Sequence, residues 1–97
     1  LAFNVQQLPA LTLWKNTDGA SDGYVTGIEP GTGYPYPRQI ERAQGRLARI
    51  GSGETKTFDV EFRILGSTND VQTAEAEIAT IQAGRQTALV ETPMGQE

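Results

Sequence analysis

The sequence predicts a mostly β fold with a single helix near its C-terminal end. Three observations carry this. Eleven glycines and five prolines among 97 residues cut the chain into short segments, as turns between strands do. Residues 57–65 alternate apolar and polar side chains with a period of two. From Val71 the period changes: Val71, Ala74, Ile78 and Ile81 recur at the spacing of one helical stripe.

Leu8 to Asn16 reads as a strand, with Leu11 and Leu13 on one face and Thr12 and Trp14 on the other. The polar run from Asn16 to Gly23 is a loop, because Asn, Asp and Gly tolerate the left-handed backbone that turns need. Tyr24 to Glu29 is a second strand, aromatic and β-branched in its first half, and Pro30-Gly31-Thr32-Gly33 ends it. Tyr34-Pro35-Tyr36-Pro37 must be extended, since a residue before proline is driven toward β or polyproline geometry. Arg38 to Gln44 forms one or two helical turns closed by Gly45. Arg46 to Ile50 is a short strand, and Gly51-Ser52-Gly53-Glu54 is a turn.

The alternation from Thr57 to Leu65 then puts Phe58, Val60, Phe62 and Ile64 on a buried face, and Asp59, Glu61 and Arg63 toward solvent. The helix covers residues 69–83. Asn69 or Thr68 caps its start, Asp70 suits the positive end of its dipole, and Gly84 ends it. Leu89-Val90-Glu91 is a last short strand, and residues 92–97 form a tail without pattern. The chain reads as one partial domain over residues 1–97.

Composition excludes several classes of function. A net charge of −4 argues against a nucleic-acid or anionic-membrane surface, because attraction to phosphate needs a cationic face. With no cysteine there is neither a disulfide framework nor a thiolate metal site. The absence of histidine removes the commonest acid/base near neutral pH and the commonest metal ligand. Carboxylates lack calcium-loop spacing, and the glycines from Gly27 to Gly33 lack phosphate-loop spacing, so neither metal nor nucleotide is expected. Apolar runs are a few residues long, against the roughly 20 that cross a bilayer.

No basic and then apolar leader opens the chain at Leu1-Ala2-Phe3-Asn4, which makes the cytoplasm the default compartment, with a missing N-terminus as the place where a signal could lie. The first residue is not methionine, and the apolar share of 37% is thin for an independent core. A piece of something larger is expected. Its Phe58, Val60, Phe62 and Ile64 face would be covered by the N-terminal remainder of the same protein or by a second chain.

Three groups of residues could carry chemistry. Glu29 closes a strand at a glycine-rich break, with Pro30 fixing the backbone behind it; a carboxylate so presented can touch a ligand hydroxyl or act as a base. The alternative is a solvated strand-end carboxylate with no task. Arg38 faces Glu41 and Arg42 at helical spacing, so Glu41 could hold Arg38 while its guanidinium reaches an anion or hydroxyls. Set against that is an ordinary surface ion pair, worth about 0–1 kcal/mol. Trp14-Lys15-Asn16 joins an aromatic ring to an amine and an amide, a sugar-binding combination, although core packing is the usual fate of a strand tryptophan. Tyr24, Tyr34 and Tyr36 share that ambiguity.

The segment Gly27-Ile28-Glu29-Pro30-Gly31-Thr32-Gly33 resembles the C-terminal part of aldose 1-epimerases, the galactose mutarotase-like superfamily, and most of all its poorly characterised bacterial branch. The likeness extends to Leu13-Trp14-Lys15-Asn16 upstream and to Gly51-Ser52-Gly53-Glu54 and the strand Thr57 to Leu65 downstream, covering about residues 8–66. It implies the last third of a large antiparallel β-sandwich, open on one face to a sugar cleft. It also implies sugar anomer interconversion with Glu29 as general base and no cofactor. In the family a histidine protonates the ring oxygen; this chain has none, so the acid would come from the missing N-terminal part. Trp14, Lys15 and Arg38 are the implied sugar contacts. A non-catalytic carbohydrate-binding module on the same fold is the alternative, and a purely structural β-fragment is a third.

Overall fold

A computed structural model describes residues 1–91, so the tail at residues 92–97 lies outside the described residues. The chain divides into two compact units, Leu1–Glu61 and Phe62–Glu97.

The first unit is built on an antiparallel ribbon. Strand β2 (Ala10–Lys15) pairs with β3 (Thr26–Gly31), Thr12 opposite Glu29 and Trp14 opposite Gly27. β2 lies inside the expected segment 8–16, whereas β3 starts two residues after the expected Tyr24 and runs on through Pro30 and Gly31, the residues expected to end it. Pro30 sits opposite Leu11. It has no N–H to give, so only a non-hydrogen-bonded pair can hold it. The connecting loop is tied by Asn16, whose amide donates to Gly23 O at 2.8 Å and whose Oδ1 accepts from Asp18 N at 3.0 Å. A 3-10 turn at Ala20–Asp22 lies within it.

A shorter pairing joins β1 (Ala2–Phe3) to β4 (Val60–Glu61), and Gln7 reinforces it by exchanging two hydrogen bonds with Asp59. Here expectation and structure differ. Residues 57–65 alternate as a strand should, yet only two of them join a ladder. A strand needs partner backbone, and β1 offers two residues. No ladder forms at 46–50 or 89–91 either.

Helix α1 (Arg38–Ala43) starts directly after Pro37, and Gly45 closes it in the left-handed region at φ 71°. The chain then reverses, so that Arg46 N donates to Glu41 O at 2.9 Å. Among the described residues only Leu8, Ala10 and Glu41 are buried. The unit's centre therefore lies where the start of β2 meets the loops around α1.

The second unit is dominated by α2 (Thr68–Gln82). Its cap is Ser67, not Asn69 or Thr68: Ser67 is extended, and its Oγ accepts from Asp70 N at 3.1 Å. Ala83 at φ 52° and Gly84 at φ 74° end the helix. Arg63 donates to Glu77 at 2.9 Å. The stripe of Val71, Ile78 and Ile81 is exposed. No helix among the described residues is long and apolar enough to cross a membrane.

Candidate functional site

The register of the ribbon decides what Glu29 can meet. Alternation puts Gly27 and Glu29 on one face of β3, with Thr12 and Trp14 opposite them on β2. A Cβ added at Gly27 would lie 3.1 Å from Trp14 Cβ and 3.2 Å from Glu29 Oε2. Glu29 thus folds its carboxylate back over bare glycine backbone, alongside the root of the indole. The glycine is what lets a carboxylate and an aromatic ring share so small an area. Both side chains are exposed.

Lys15 lies on the opposite face by the same alternation, with Leu11, Leu13, Thr26 and Ile28. Leu11, Leu13 and Ile28 are each about half exposed, at 48, 56 and 55%. The ribbon has one polar and one apolar side.

Arg38 belongs elsewhere. It lines a cleft of about 440 Å³ with Tyr34, Tyr36, Glu41 and Arg46. Sequence spacing pairs Glu41 with Arg38, but the structure pairs it with Arg46. Glu41 Oε2 accepts from Arg46 Nε at 2.7 Å, and Glu41 Oε1 accepts from Tyr34 N at 2.5 Å. The reason is the reversal at Gly45, which returns Arg46 to the helix, where its backbone N–H also donates to Glu41 O. The Arg46 guanidinium lies 4.8 Å from the Tyr34 ring centroid. Tyr36 meets Tyr34 edge-on, their centroids 6.3 Å apart.

The Arg46 hydrogen bond is the largest influence holding the Glu41 carboxyl below its ordinary value; the Tyr34 N–H and the Arg46 charge act the same way, against the opposing effect of burial. Glu41 therefore carries charge while buried, which needs partners of this kind. Sequence reading missed its burial and its true partner. The available signal was Gly45, a left-handed stop five residues before the end of the 46–50 segment, which implies a reversal.

Residues 1–64 match the family model described as a domain of unknown function, DUF4432. The chain belongs to the DUF4432 family. The matched residues hold both the ribbon and the cleft of this DUF4432 chain and end ahead of α2. Neither a curated protein nor a solved structure matches it. No group of three or more acidic, histidine or cysteine side chains able to hold a metal occurs among the described residues.

Proposed function

We propose that this DUF4432 protein is carbohydrate-active and aldose 1-epimerase-like, interconverting sugar anomers with Glu29 as general base. One observation carries the reading: Glu29 and Trp14 share one face of the ribbon, with only Gly27 between them. An indole can stack on the C–H face of a sugar while a neighbouring carboxylate reaches a hydroxyl, and strand residues are precise platforms for both. The base takes the proton of the anomeric hydroxyl while an acid protonates the ring oxygen. The ring opens, the C1–C2 bond rotates, and the ring closes on the other face with the protons returned. Neither metal nor organic cofactor is required. The acid comes from outside residues 1–97, which contain no histidine.

Trp14 is the proposed stacking contact and Arg38 a further sugar contact, while the register turns Lys15 to the other face of the ribbon, away from Glu29. The apolar side of the ribbon, with Leu11, Leu13 and Ile28, favours a sandwich in which a second layer covers it. That layer is the N-terminal remainder of the same protein or a second chain. The cytoplasm is the compartment this reading assigns.

The test is exchange NMR of the two anomers of neutral hexoses with the full-length protein. Exchange that rises above the spontaneous rate in proportion to protein supports the reading. Saturable sugar binding without faster exchange would replace it with a carbohydrate-binding module on the same fold.

A further inference from the structure

The cleft beside α1 holds Arg46, Tyr34 and Tyr36, which anomer exchange at Glu29 leaves unused. Glu41 orients Arg46 from below: Nε is hydrogen bonded to Oε2, and Nη2 lies 2.5 Å from that same oxygen. Nη2 is nevertheless buried without a well-directed hydrogen bond of its own. The guanidinium plane rests on Tyr34, so its orientation is set while its donors are not exhausted.

Arg38 stands on the wall of the same cleft, exposed, and no described residue forms an ion pair with it. Two arginines and one glutamate therefore line the cleft, and the glutamate is taken by Arg46. A pairing that merely fastens the loop at Tyr34 to the chain at Arg46 accounts for Glu41 and Arg46. It does not account for the surplus cation at Arg38. The remaining lining is suited to a small polar ring, with the Tyr34 and Tyr36 side chains and the Thr32 hydroxyl. Its volume of about 440 Å³ falls among small-molecule sites, which run from about 300 to 1,000 Å³.

We propose that this cleft binds the oxyanion of a sugar-sized acidic ligand, a phosphate monoester or a carboxylate, with Arg38 and Arg46 as its donors and the two tyrosines as its wall. Guanidinium groups match both oxyanions through paired N–H donors. The proposal shares with the epimerase reading only the use of Arg38 as a ligand contact, and it needs no catalysis at Glu29.

Calorimetric titration of the full-length protein with glucose 6-phosphate, gluconate and glucose tests it. At least one of the two anions should bind about tenfold or more tightly than glucose, as charge-assisted hydrogen bonds provide. Which anion it is identifies the oxyanion. Arg38→Gln should abolish the preference, while Arg38→Lys should keep part of it by retaining the charge without the planar fork. Arg38 is exposed at a helix start, so both variants keep the fold, which circular dichroism checks. Equal binding of glucose and both anions would overturn the proposal, and so would an undiminished preference in Arg38→Gln. The readout is binding, so an inactive Glu29→Gln variant that still prefers the anion separates this proposal from the fate of the epimerase reading.

Discussion

Gly33→Ala is the substitution whose cost the structure sets most directly. A Cβ at Gly33 would lie 3.0 Å from Glu41 Oε1 and 3.4 Å from Arg46 O. The first of these atoms could yield if it were the loose end of an exposed side chain. It is not, because the same carboxylate is held by Tyr34 N and by Arg46 Nε. Relief requires either that the hydrogen bonds lengthen or that the loop withdraws. Overpacking of this kind costs about 1–3 kcal/mol, and the stiffer unfolded chain of alanine returns about 0.4–1 kcal/mol. A net loss of about 1–2 kcal/mol follows, which lowers a urea midpoint by about 1 M for an ordinary slope. Two controls separate this from a generic glycine effect. At Gly31 the nearest atom would be Gly33 O at 3.4 Å, and at Gly66 nothing lies within 4 Å. Urea unfolding of the three alanine variants should find the loss at Gly33 alone. If Gly33→Ala were as stable as Gly66→Ala, the tight packing of Glu41 against the loop would be wrong, and with it the orientation of Arg46.

Other consequences can be checked separately. The Glu41 carboxyl is held below its ordinary value in the folded chain, so its stabilisation is complete above the ordinary glutamate value and is lost as pH falls through the lowered one. Urea midpoints followed into acid should therefore fall less steeply in Glu41→Gln than in wild type. Ala83 adopts the left-handed conformation at φ 52°, which costs an L-residue about 1–2 kcal/mol, so Ala83→Gly should strengthen protection of α2 in amide exchange. Ser67→Ala removes the acceptor for Asp70 N and should weaken the same helix by about 1 kcal/mol. Gly27→Ala puts a methyl group against the Glu29 carboxylate and should lower anomer exchange in the full-length protein more than it lowers the melting temperature.

The fold was legible where a local pattern needed no distant partner. Leu11 and Leu13 alternating with Thr12 and Trp14 pointed to β2, and the stripe from Val71 to Ile81 pointed to α2. Patterns that depend on a neighbour were less informative. Phe58, Val60, Phe62 and Ile64 have the period of a strand, but a ladder forms only where β1 supplies backbone. The two residues of β1 leave no periodic trace. Register is a further step removed: the long loop from Asn16 to Val25 does not dictate that Thr12 meets Glu29, and so the shared face of Trp14 and Glu29 could not be read beforehand. Helical spacing proposed Arg38 as the partner of Glu41. The left-handed turn at Gly45 overrode it by returning Arg46 within reach.

The cap of α2 shows the same dependence on geometry. Ser67, Thr68 and Asn69 all carry suitable side-chain oxygens, but a capping residue must itself be extended. Ser67 has φ −145° and ψ 160°, whereas Thr68 and Asn69 already belong to the helix.

The central claim is that Glu29 moves the proton of a sugar's anomeric hydroxyl. It is tested most directly by measuring anomer exchange in the full-length protein and in its Glu29→Gln variant, with sugar binding measured in parallel. Glutamine keeps the size and hydrogen-bonding reach of the side chain and removes its basicity. Since a positioned acid or base supplies about 10²–10⁴-fold, the account predicts at least about a tenfold fall in exchange with binding largely preserved. Equal exchange rates in the two proteins would contradict it.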